Sequence, residues 1–127
     1  MPVVEIDYEP RPLQRALHKA MASHRWTVAV CHRRFGKTVM AVNHLQKAAL
    51  MCPRERPRFH YIAPTFRMGK QAAWDYFKHF AAPIPGVQSN ESELRINYPN
   101  GGQIQILGAD NPDSMRGIYS DGAVFDE

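Results

Sequence analysis

The apolar run from Trp26 to Cys31 leads straight into Cys31-His32-Arg33-Arg34-Phe35-Gly36-Lys37-Thr38, and a helical pattern opens at Lys37. A strand, a tight turn and a helix are the elements that satisfy this order of features. The run carries its apolar residues in succession rather than in alternation. That predicts a strand over 27–31 buried on both faces, as in a parallel sheet. The remaining pattern must be compatible with that layered arrangement.

Three prolines, Pro2, Pro10 and Pro12, forbid a continuous helix at the start of the chain. Leu13, Ala16, Leu17, Ala20 and Met21 then fall at helical spacing, to about Ser23. The helix that opens at Lys37 is predicted to run to Met51 and to stop before Pro53. Residues 53–58 form a proline-broken basic link. Phe59 to Ala63 reads as a second strand, ended by Pro64, and Gly69 to Phe80 as a further helix. Leu94, Ile96 and Tyr98 alternate with polar residues, Asn100-Gly101-Gly102 turns the chain, and Gln103 to Ile106 alternates back, which specifies a hairpin. Asp110 to Gly117 reads as a loop with one helical turn. A last apolar strand, Gly122-Ala123-Val124-Phe125, runs into Asp126-Glu127. The class implied is α/β: a layered, mostly parallel sheet with an inserted hairpin.

Composition narrows the function classes. The 127 residues suffice for one domain, and 44% apolar with 22% charged residues exclude disorder and coiled coil for the whole. No stretch approaches the ~18 apolar residues of a membrane helix, and the opening MPVVEIDYEP lacks a signal-peptide pattern. Cys31 and Cys52 cannot build a disulfide framework, so a reducing cytosol is expected. The formal net charge of +4 is compatible with phosphate-bearing partners. The six histidines show no zinc-type spacing with the cysteines.

The segment Cys31 to Thr38 has the means to hold a phosphate chain. A tight turn and a helix start offer inward-pointing amides, Lys37 a mobile ammonium for the outer phosphates, and Thr38 a hydroxyl for a magnesium ion. At Gly36 a side chain would collide with the phosphate. The strict phosphate-loop pattern has a glycine where Cys31 stands, so the generic motif fails at that position. The terminal strand delivers Asp126 and Glu127 to the same sheet edge. There Asp126 can help hold magnesium and Glu127 can orient and deprotonate the attacking water, unless both acids only solvate a terminus. Arg33 can curl toward the γ-phosphate; Arg34 can do the same or face solvent. Arg116, beside Gly117, suits either a reach toward a neighbouring subunit or a plain surface position. Gln14 can read an adenine edge or serve as a polar helix-start residue. Arg54, Arg56 and Arg58 can touch nucleic-acid backbone or form a solvated link.

Taken together, PRPLQ, CHRRFGKT, YIAPTFRMGKQAAWDYF, NESELRINYPNGGQIQILGADNPDSMRG and GAVFDE resemble the N-terminal ATPase domain of a tailed-phage large terminase, the motor that packages DNA into the procapsid. The resemblance runs through essentially the whole chain. It implies a P-loop NTPase-type sheet, incomplete at the C-terminus, with residues 1–127 as a partial ATPase domain and no nuclease domain. It makes the missing first glycine expected, because the family's phosphate loop is altered in this way. Residues Cys31, His32, Arg33, Arg34, Phe35, Gly36, Lys37 and Thr38 become the ATP-binding loop, Gln14 the adenine reader, and Thr38 with Asp126 the magnesium holders. Glu127 becomes the catalytic carboxylate, Arg33 a sensor or cis-acting arginine, and Arg116 a finger acting in trans in a ring. Implied partners are double-stranded DNA, the portal protein and the small terminase subunit, in the host bacterial cytoplasm and without a membrane. A later strand of the family's sheet inserts between the phosphate-loop strand and the acidic strand. A 127-residue product lacking it is expected to be marginal or aggregation-prone and at best a weak nucleotide binder. A helicase-like DNA-dependent ATPase and a non-catalytic nucleic-acid-binding or assembly module are the alternatives.

Overall fold

The computed structural model describes residues 6, 8–31 and 36–126. Helix α1, Pro12–Ser23, starts with a proline, where the missing N–H leaves no helical bond unmade. Helix α2, Lys37–Met51, matches the expected span. Strand β1, Arg58–Ala63, follows the basic link. Next comes a continuous helical stretch of α3 (Phe66–Gly69), a π-helical turn (Lys70–Trp74) and α4 (Asp75–Ala81). It begins at Phe66 rather than Gly69 because Thr65 Oγ1 accepts a hydrogen bond from Met68 N at 3.0 Å and caps the first turn. Strands β2 (Gln88–Asn90), β3 (Arg95–Asn97), β4 (Gln103–Gly108) and β5 (Gly122–Phe125) complete the sheet, with a 3₁₀ turn at Pro112–Met115.

The strand order is β2-β3-β4-β1-β5. Strands β4 and β5 both run parallel to β1, with Tyr61 opposite Ile106 on one side and Val124 on the other. The expected hairpin is β3–β4, antiparallel, with Ile96 opposite Ile104. Strand β2 pairs antiparallel to β3 and has no apolar alternation to announce it. One sheet face presents Phe59, Tyr61, Ala63, Ile96, Ile104 and Ile106 to Val42, Leu45 and Ala49 of α2 and to Trp74, Phe77 and Phe80. Gln46 is buried in that core and satisfied: its Nε2 donates to Phe80 O at 2.9 Å, and Tyr98 Oη donates to its Oε1 at 3.0 Å.

The strand expected over 27–31 is not formed. Val28 is 92% exposed and Val30 99% exposed, and among the described residues no strand pairs with this run. A parallel strand exists only where a neighbour completes its ladder. Both sides of β1 are taken, by β4 and β5, and among the described residues no strand pairs with the outer edge of β5, so the run joins no ladder. The arginine link has a structural use: Arg54 pairs with Asp121 at 3.1 Å, and Asp121 Oδ2 accepts from Arg58 N at 2.9 Å, tying the link to the start of β5. No helix among the described residues is long and apolar enough to cross a membrane.

Helix α1 rests on α2 through histidines. The Tyr8 hydroxyl pairs with His18 Nε2 at 2.7 Å, and His18 Nδ1 lies 2.9 Å from His44 Nδ1, with the two rings stacked. Partial burial, then the neighbouring His44 and Lys47, pull His18 down to about 4, and burial with Lys47 lowers His44. Folded His18 therefore binds its proton less readily than unfolded His18. The stability it contributes is intact above the ordinary value of about 6.5 and is lost as pH falls from there toward 4. Melting followed by circular dichroism should show a lower midpoint at pH 4.5 than at pH 7. A His18→Phe chain should show a flatter dependence over that interval.

Candidate functional site

The junction at Gly36 is set by backbone geometry. Its φ of 82° lies in the left-handed region, and a Cβ there would stand 2.7 Å from Gln14 Nε2 and collide with the Arg11 guanidinium. The backbone conformation favours glycine, and any Cβ would require the Arg11 and Gln14 side chains to shift. Gly36 O accepts from Met40 N at 3.0 Å, which opens α2. The cap position is a glycine, which has no side chain to close the first turn, and the start of this 15-residue helix carries the positive end of its dipole. Such an end favours an anion.

Strand β5 carries the acid to the same place. Asp126 N donates to Ile62 O at 2.9 Å, which extends the ladder past Phe125 and sets the carboxylate at the C-terminal sheet edge. Lys37 Nζ lies 3.9 Å from Asp126 Oδ1, and Thr38 Oγ1 donates to Asp126 Oδ2 at 3.4 Å. The hydroxyl of fully buried Tyr61, on β1, donates to the same Oδ2. The Asp126 side chain is 14% exposed and that of Lys37 38%, so the acid is sheltered while the ammonium can move. A hydroxyl and one carboxylate are hard oxygen donors, and magnesium takes few protein ligands when phosphates complete its shell. The donor set fits that ion. Among the described residues no group of three or more His, Cys, Asp or Glu comes together.

The other sequence candidates are dispersed. Cys31, the first residue of the loop, is a partly buried free thiol. His32, Arg33, Arg34, Phe35 and Glu127 lie outside the described residues. Gln14 is 4% exposed, with Oε1 accepting from Arg11 N at 2.8 Å and Nε2 donating to Gly36 O at 3.0 Å. Arg116 sits in an exposed turn, 3.3 Å from Asp113 Oδ1. Two contributors escape sequence reasoning. A tyrosine inside an apolar strand needs a partner for its hydroxyl, and that was the available signal for Tyr61. Arg11, against Gly36, had none.

No protein-family model and no curated protein matches the sequence. Solved structures do share the architecture. The large-terminase ATPase domain of Thermus phage P74-26 aligns with a TM-score of 0.67 at 24% identity, over 96% of this chain and 55% of that one. This chain has the fold of a large-terminase ATPase domain. A mutant form of the same Thermus phage domain gives 0.68 at 23% identity, with the same coverage. The large terminase of a thermophilic bacteriophage gives 0.59 at 18% identity, over 75% of this chain and 25% of that one. The chain thus spans about half the length of the terminase ATPase-domain chains it matches, and the site described above lies within the shared terminase-type fold.

Proposed function

We propose that this chain is part of the ATPase domain of a phage DNA-packaging motor, binding ATP here and hydrolysing it in the intact protein. One observation carries the reading: on a terminase-type fold, Asp126 at the end of β5 meets both Lys37 and Thr38 at the start of α2. That convergence joins an anion-favouring helix end, a movable cation and a magnesium-compatible oxygen pair. The helicase-like alternative shares these parts, but the three solved structures described above are terminases, which supports the packaging reading.

In this reading the loop from Cys31 to Thr38 surrounds the triphosphate, and Lys37 leaves Asp126 to neutralise the outer phosphates. Thr38 and Asp126 are the residues that would hold magnesium, whose charge offsets that of the phosphates during transfer. Glu127 orients the attacking water and takes its proton. Arg33 acts in cis. Arg116, 84% exposed in a turn ahead of β5, is presented outward and acts on the next subunit of a ring. Double-stranded DNA, the portal protein and the small terminase subunit are the partners, in the host cytoplasm.

Titration with a fluorescent ATP tests the site. Magnesium is expected to raise affinity about tenfold. Asp126→Asn should erase most of that increment while leaving magnesium-free binding intact, because the amide oxygen still accepts from Tyr61. Equal affinity with and without magnesium in the unsubstituted chain contradicts the assignment.

A further inference from the structure

We propose that Tyr61 is a positioning residue of the magnesium site: its hydroxyl sets the orientation in which the Asp126 carboxylate meets an ion. The inference rests on the nucleotide reading above and adds one residue to that site.

Tyr61 is fully buried in the middle of β1, with Ile106 of β4 opposite it on one side and Val124 of β5 on the other. Its ring meets that of Phe77 edge-on, with centroids 5.9 Å apart. A side chain packed on all sides delivers its hydroxyl to one place. A buried phenol needs a hydrogen-bond partner, and any main-chain carbonyl would satisfy it. The partner here is instead the carboxylate that Lys37 and Thr38 also meet. A phenol has one proton to give, and Tyr61 Oη gives it to Asp126 Oδ2.

Asp126 needs such a hold. The bond from its N to Ile62 O fixes the main chain, but it does not set the turn of the carboxylate about its last bond, a torsion with broad wells. Two hydroxyls set that turn, because both meet Oδ2 while Lys37 Nζ lies 3.9 Å from Oδ1. They are unequal anchors. Thr38 sits in the first turn of α2, its contact is long at 3.4 Å, and in the proposed function the same residue holds the ion. Tyr61 stands on a strand paired on both sides and is not among the residues proposed to hold the ion. Its bond is thus the anchor that does not depend on the ligand. The carboxylate is oriented before an ion arrives, so less side-chain freedom is lost when one binds.

Tyr61→Phe keeps the ring and removes only the hydroxyl. Fluorescent-ATP titrations with and without magnesium compare the unsubstituted chain, Tyr61→Phe, Asp126→Asn and the double variant. The increment of about tenfold expected from magnesium should shrink to about threefold or less in Tyr61→Phe, with magnesium-free affinity unchanged. In the Asp126→Asn background the same substitution should remove no further increment, because the carboxylate it orients is gone. A role in the core alone predicts equal loss with and without the ion, or no loss at all. Either result overturns the inference, as does an equal fold-loss of the increment in the Asp126→Asn background. Where the Tyr61→Phe chain melts early, the ratio of the two affinities at a temperature where circular dichroism shows it folded still decides. The two levels separate in the same data. If the unsubstituted chain binds ATP equally with and without magnesium, the reading of the site fails and this inference with it. A full increment in both the unsubstituted chain and Tyr61→Phe removes the Tyr61 assignment alone.

Discussion

Replacing Lys37 by alanine is expected to weaken binding of magnesium ATP about a hundredfold, with little change in melting temperature. The size follows from the charge-assisted bonds an ammonium makes to phosphate oxygens, which amount to about 3 kcal/mol when two are lost. The small stability effect follows from what Lys37 does without a ligand. Its contact with Asp126 is long, at 3.9 Å, and its side chain is 38% exposed. Such a pair contributes at most about 1 kcal/mol after screening by solvent. Asp126 keeps its bonds from Thr38 and Tyr61, so no buried charge is stranded by the substitution. Titration calorimetry and a thermal melt on the same preparation separate the two effects. An affinity for ATP that survives Lys37→Ala removes the phosphate cradle, and with it the motor reading. A large fall in melting temperature assigns Lys37 to the framework instead.

The parts of this fold that can be read from sequence are those whose signals are local. Helix α2 announces itself through a glycine, an apolar period and a proline stop. The β3–β4 hairpin does so through alternation around Asn100-Gly101-Gly102, where Asn100 Oδ1 accepts from Gly102 N at 2.9 Å. The run 27–31 shows where such reading stops. Successive apolar residues record a preference for burial, whereas strand formation also requires a partner ladder, which no local window contains. Strand β2 is the converse case, since Gln88-Ser89-Asn90 pairs with β3 without any apolar pattern. At the candidate site, the meeting of Lys37, Thr38 and Asp126 could be anticipated because helix starts and strand ends of a parallel sheet share one edge. The supports behind it could not. Tyr61 reaches Asp126 across a strand neighbour, and Gln14 reaches Gly36 across two helices, so both depend on tertiary placement.

Glu127→Gln in the intact protein is expected to leave ATP affinity within about threefold and to cut hydrolysis at least about a hundredfold, the usual effect of removing a general base. The acid follows directly on Asp126 in the sequence, and Asp126 is the carboxylate that meets Lys37 and Thr38. Two adjacent acids at one edge invite a division of labour. The ladder bond from Asp126 N to Ile62 O and the Tyr61 hydroxyl make Asp126 a fixed group, suited to holding an ion. In the proposed function the proton-accepting role is assigned to Glu127. Glutamine preserves size and hydrogen bonding but is not basic, so it tests proton transfer without disturbing the binding surface. Single-turnover hydrolysis measured beside equilibrium binding decides between the assignments. A parallel loss of affinity and rate places Glu127 in substrate binding, and an unchanged rate moves the base to another residue.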